Sequence, residues 1–121
     1  MKLVRLALPL LVLAAASGCG AGGSPGPVGP NTVAMTEYEF TPKNVKVVRG
    51  AEVTVRNDGQ IAHNLTVKPS ASSSKELIGT DSFLGGRNEK LKVDLSPGRY
   101  AIVCTVPGHV QRGMAGTLAV R

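Results

Sequence analysis

Two histidines, two cysteines and three methionines are the only soft or borderline metal donors in this chain. Four of them form a pattern. His63 stands in the segment IAHNLTV, and Cys104, His109 and Met114 follow one another in YAIVCTVPGHVQRGMAGTLAVR, with four residues between each and the next. Two imidazoles, a thiolate and a weak thioether suit one copper ion that changes oxidation state. Zinc also accepts Cys and His, but another Cys, His, carboxylate or water usually completes its shell, and a thioether serves it poorly. Met35 has no partner at a comparable spacing and reads as filler.

Other chemistries fit less well. Cys104 and His109 on one strand-end loop are badly placed as nucleophile and base, and no oxyanion feature accompanies them. The carboxylates Glu37, Glu39, Glu52, Asp58, Glu76, Asp81, Glu89 and Asp94 read as solvated strand faces or turns, and none pairs as acid and base. A copper enzyme with a second metal centre would need further histidines, and both are already used. A non-enzyme is therefore expected.

The elements that must position these donors read as β. Val45 and Val47 alternate with Lys46, Val53 and Val55 with Glu52, Thr54 and Arg56, and Leu91, Val93 and Leu95 with Lys90, Lys92 and Asp94. Period-two runs of this kind have one dry face and one wet face. The run Thr32 to Phe40 is rich in β-formers. Arg49-Gly50, Asn57-Asp58-Gly59, Gly85-Gly86 and Ser96-Pro97-Gly98 separate the runs, and Pro97-Gly98 suits a type II turn. Ser73 to Leu77 is expected to make one helical turn. About seven short strands in roughly 90 residues imply an all-β Greek-key sandwich. Strand parity turns the donors inward: Cys104 shares a face with Tyr100 and Ile102, His63 with Leu65 and Val67, and Met114 with Leu118 and Val120. Pro107-Gly108 turns the chain so that His109 can join them.

The first residues have a different character. Lys2 and Arg5 precede an apolar run from Leu6 to Ala16, interrupted by Pro9, and small residues then lead to Cys19. That is the form of an export signal, and the run is too short to span a bilayer, which takes about 20 residues. Ala16-Ser17-Gly18-Cys19 resembles a bacterial lipobox, in which cleavage precedes a cysteine that becomes acylated. The alternative is an ordinary secretory signal cut between Gly18 and Gly23. The expected organisation is a signal over 1–18, lipidated Cys19 and a Gly/Pro-rich linker over 19–31, and one domain over 32–121. The linker's extended reach is on the order of 30 Å at about 3.1 Å per residue. If Cys19 is acylated, Cys104 is an unpaired thiol in an oxidising compartment, which calls for a reason. The formal net charge of +6 loses the two charges of Lys2 and Arg5 and stands at +4. This favours acidic partners or anionic surfaces. Four aromatic residues without a stacking motif argue against nucleic acid.

The segment CTVPGHVQRGM resembles the cupredoxins, the plastocyanin- and azurin-like copper proteins, with spacing similar to the rusticyanin and sulfocyanin branch. YEFTPKNVKVVRGAEVTVRNDGQIAHNL resembles the N-terminal half of bacterial cupredoxins. The likeness covers most of residues 33–121. It implies a trigonal set of His63, Cys104 and His109 around one copper ion, an axial Met114, and Asn64 tying the two ligand loops together. It also implies a one-electron carrier, expected to be a monomer; the export signal and the lipobox resemblance imply that it is exported and lipid-anchored on the periplasmic or extracellular face. A copper reservoir without redox turnover is the alternative. Electrons are expected to leave through His109, across an apolar patch of Val106, Pro107, Gly108, Val110 and Ala115. Arg87, Lys90, Lys92 and Arg112 are expected to steer an acidic redox partner.

Overall fold

A computed structural model describes residues 26–121. The export signal and Cys19 lie outside them. No helix among the described residues is long and apolar enough to cross a membrane.

Among the described residues, nine strands form two layers. They are β1 (Thr32–Thr36), β2 (Glu39–Thr41), β3 (Asn44–Val47), β4 (Ala51–Asn57), β5 (Thr66–Lys68), β6 (Ile78–Gly79), β7 (Asn88–Val93), β8 (Gly98–Val103) and β9 (Ala115–Val120). One sheet has the order β2-β1-β4-β7 and the other β3-β9-β8-β5-β6. Both are mixed, because β1 runs parallel to β4 and β3 parallel to β9. The all-β sandwich is therefore as expected, with more strands than the seven anticipated.

The additional strands have physical causes. The run of β-formers from Thr32 to Phe40 is a hairpin: β1 and β2 pair as Met35↔Phe40 and Thr36↔Glu39, and the chain reverses at Glu37-Tyr38. Ser73 to Leu77 forms no helical turn. The chain bends there, the Leu77 N–H donates to the Val67 carbonyl, and β6 then pairs with β5. Those sheet bonds satisfy the backbone that a helix would have satisfied internally. Gly98 has φ of 158° and begins β8, so Pro97-Gly98 is not a type II turn.

The alternating valines face inward as the period-two pattern requires. Val45, Val47, Val53, Val55, Leu91 and Val93 join Ile102 and Leu118 in the core between the sheets. Burying each side chain of this size contributes about 1.5–3 kcal/mol. The void among them is only ≈ 10 Å³ and wholly apolar in its lining. A water needs about that volume and two to four polar partners, so the core is dry. The metal donors lie at one end of this packed interior, in the segments that connect its strands.

Candidate metal centre

Each donor is set by a different local device. His63 lies between β4 and β5 in an isolated bridge to Phe83: the His63 N–H donates to the Phe83 carbonyl at 3.2 Å, and the return bond is 3.0 Å. Asn57, fully buried at the end of β4, shapes the loop that leads there. Its Nδ2 donates to the carbonyls of Ile61 (2.9 Å) and Phe83 (2.8 Å), and its Oδ1 accepts from the Gly59 N–H (2.9 Å). Cys104 directly follows β8 and its N–H donates to the Met114 carbonyl at 3.2 Å. That bond closes the loop 104–114 at its base. Inside the loop, a short 3-10 turn over Val110–Arg112 starts at His109 and ends at Gly113 with φ of 99°, a left-handed conformation that favours glycine. The Met114 N–H then donates to the His109 carbonyl at 3.1 Å.

These devices bring the donors together. His63, Cys104 and Met114 are 0 % exposed and His109 is 7 % exposed. The Nδ1 atoms of His63 and His109 are 3.1 Å apart. The Cys104 Sγ is 4.0 Å from Nδ1 of His63 and 3.4 Å from Nδ1 of His109. The thiol is free of any disulfide. Met114 is tied to them through its two backbone bonds, and its side chain belongs to the same buried core as Cys104.

The surroundings are ordered as well. Asn64 ties the histidine segment to the cysteine loop: its Nδ2 donates to Thr105 Oγ1 (2.7 Å) and its Oδ1 accepts from the Thr105 N–H (2.8 Å). Tyr38 meets the His109 ring edge-on at 5.0 Å between centroids and the His63 ring at 6.3 Å, and the Arg112 guanidinium stacks over Tyr38 at 4.8 Å. Glu37, expected to be a solvated turn residue, instead points its Oε1 at His63 Nε2, 2.9 Å away. No local pattern marks Glu37, Tyr38 or Asn57 as part of the site, because each acts through a contact distant in sequence.

Electrostatics follow from this packing. Burial pushes the His109 pKa below the ordinary histidine value, and positive charge at His63 and Arg112 pushes it further, against an opposing pull from Glu37. For Glu37, burial acts to raise the pKa. The hydrogen bonds from His63, Gln60 and Ile61, with attraction to His63, outweigh it and hold the carboxyl below its usual range.

A family model, copper binding proteins of the plastocyanin/azurin family, matches residues 29–121. The chain belongs to that family. No curated protein sequence matches it. Solved cupredoxins share the fold. A reduced auracyanin from Roseiflexus castenholzii is 21 % identical with a TM-score of 0.61, covering 74 % of this chain and 94 % of its own. An azurin from Methylomonas sp. strain J is 18 % identical with a TM-score of 0.62, over 74 % and 95 %. A plastocyanin from Dryopteris crassirhizoma is 24 % identical with a TM-score of 0.58, over 74 % and 99 %.

Copper is the metal of this cupredoxin, and the donors fit it. The three distances between Sγ and the two Nδ1 atoms define an acute triangle whose circumradius is about 2.1 Å, the length of an ordinary metal–imidazole bond. The set of two imidazole nitrogens and one sulfur, with a thioether in the same core, is the set that blue-copper centres use.

Proposed function

We propose that this cupredoxin is an extracytoplasmic one-electron carrier, with His63, Cys104, His109 and Met114 holding a single copper ion. The observation that carries the reading is the convergence of Sγ and two Nδ1 atoms, all buried and mutually within 4.8 Å, at one end of a dry sandwich. Copper held there supplies a Cu(II)/Cu(I) couple.

The residues of the chain do the rest. The strand ends, the Asn64–Thr105 pair and the Cys104–Met114 backbone bond keep the donors fixed, so that little movement accompanies a change of one charge. Cys104 links the site directly to β8. His109 lies nearest the surface of the three close donors, with exposed Pro107, Gly108 and Val110 beside it and half-buried Val106 and Ala115 completing the patch. An apolar rim of this size suits a partner that must leave quickly, through an interface below about 1,200 Å². Arg112, stacked on Tyr38 next to His109, is well placed to attract an acidic partner. Lys90 is less so, since it is occupied on the outer face of the first sheet by Thr54 and Glu52. The basic-then-apolar start and Cys19 support export and attachment to a membrane surface.

The test is the visible spectrum of the domain loaded with Cu(II). An intense thiolate-to-copper band that bleaches reversibly on reduction is expected, and Cys104→Ser should abolish it. Copper uptake without that band, or loss of the ion on reduction, would point to a reservoir instead. Labelled fatty acid should enter the full chain and not its Cys19→Ala variant.

A further inference from the structure

Glu37 stands at the reversal between β1 and β2, and its side chain is 29 % exposed. A carboxylate on such a turn normally faces water. This one is held inward by a receptacle made from the loop after β4. Its Oε1 accepts the N–H groups of Gln60 at 2.9 Å and Ile61 at 3.2 Å. Gly59 leaves room for it: a Cβ at that position would collide with Oε1 and stand 3.0 Å from Cδ and 3.1 Å from Oε2. Two backbone donors and a missing side chain therefore fit one carboxylate oxygen.

That same oxygen faces the outer nitrogen of a fully buried histidine whose inner nitrogen faces the other metal donors. Gln60 and Ile61 lie at the rim, where water could replace the carboxylate. His63 Nε2 has no such substitute. An imidazole that gives its Nε2–H to a carboxylate keeps its Nδ1 lone pair free, with the ring fixed in orientation and made a better donor. The arrangement also places a negative charge one ring away from the bound ion, and that favours the more highly charged oxidation state.

We infer that Glu37 is a positioning residue of the copper centre: it holds His63 in the tautomer that presents Nδ1, and its charge lowers the reduction potential. The inference rests on the electron-carrier reading above. It has a consequence in the copper-free protein. If His63 carries its proton on Nε2, the 3.1 Å contact between the two Nδ1 atoms requires His109 to donate from Nδ1. For Nδ1 of His109 to serve as a donor, that proton must leave Nδ1 for solvent and the neutral ring must take one up at Nε2.

The experiment combines two readouts on the folded protein. Nitrogen NMR of the copper-free form reports the ring tautomers, and voltammetry of the copper-loaded form reports the potential. Wild type should show His63 protonated on Nε2. Glu37→Gln keeps an acceptor and removes the charge. It should retain the blue band and shift the Cu(II)-over-Cu(I) preference about tenfold towards Cu(I), a rise of 59 mV for one electron. Gly59→Ala drives the carboxylate away with its charge intact, and should raise the potential and mix the His63 tautomers. Glu39→Gln removes the same charge from the exposed side of β2, where it bonds neither histidine, and should leave both readouts unchanged. An unmoved potential in Glu37→Gln with the band intact overturns the inference, as does an Nδ1-protonated His63 in the copper-free wild type. A wild type that lacks the band sinks the carrier reading instead, and the tautomers alone then decide whether Glu37 positions His63.

Discussion

Replacing Asn64 by Ala should remove about 2 kcal/mol of stability. Its side chain makes two bonds to Thr105, at 2.7 and 2.8 Å, and each is worth about 1 kcal/mol net. Thr105 is exposed, so its freed groups can recover water, and the loss should not rise far above that sum. For a domain of this size, about 2 kcal/mol lowers the melting temperature by about 8–16 °C. The assay is thermal and urea unfolding of the copper-free protein, followed by a double-mutant cycle with Thr105→Val. The valine removes only the bond from Nδ2, so alone it should cost about 0.5–1 kcal/mol. In the Asn64→Ala background that bond is already gone, and the valine should cost almost nothing. Asn64→Asp should stay near wild type at neutral pH. Its carboxylate still accepts the Thr105 N–H and can take the Thr105 hydroxyl as a second donor. Strict additivity of the two substitutions, or a loss below about 0.5 kcal/mol for Asn64→Ala, would refute the idea that this pair clamps the two ligand segments.

Three further outcomes follow from the site. Met114→Leu conserves volume at a fully buried position and should cost less than about 1.5 kcal/mol, while loss of the thioether should raise the reduction potential; an unchanged potential by voltammetry would remove Met114 from the ligand set. Asn57→Ala breaks three hydrogen bonds, leaving the Ile61 carbonyl and the Gly59 N–H without their partner while the Phe83 carbonyl keeps the His63 N–H, and should cost roughly 3 kcal/mol in urea unfolding, so a loss under about 1 kcal/mol would show the loop holds itself. The copper-free protein should weaken in acid. Its depressed His109 pKa contributes stability that is complete above about pH 6.5 and is lost as pH falls, because the unfolded chain takes the proton first. Glu37, also depressed, adds a second loss below about pH 4.3. A urea midpoint identical at pH 7 and pH 5 contradicts the first of these.

Much of the centre was readable before the fold was known, because its donors are chemically rare and close in sequence. The spacing of Cys104, His109 and Met114 survives as one closed loop, and the parity that turned His63 and Cys104 inward agrees with their burial. Local period failed where two strands run together. Nothing in Met35 to Phe40 has turn chemistry, so the hairpin at Glu37-Tyr38 was hidden, and with it the carboxylate beneath His63. Asn57 reads as a turn residue, yet its work is done by side-chain bonds as far away as Phe83. Strict alternation also misjudges β8, where Ala101 and Val103 are buried as well as Ile102, so both faces of that strand are covered.

The backbone bond from Cys104 to Met114, with Val103 paired to Ala115 just behind it, separates the tip of the molecule from its body. Residues 105–113 can be lengthened, shortened or exchanged without shifting the register of either flanking strand. The spacing and polarity around the metal can therefore change while the sandwich keeps the same packing. The chemistry of the loop and the folding of the body are inherited as separate traits in such a molecule, one in nine residues and the other in the valines beneath them.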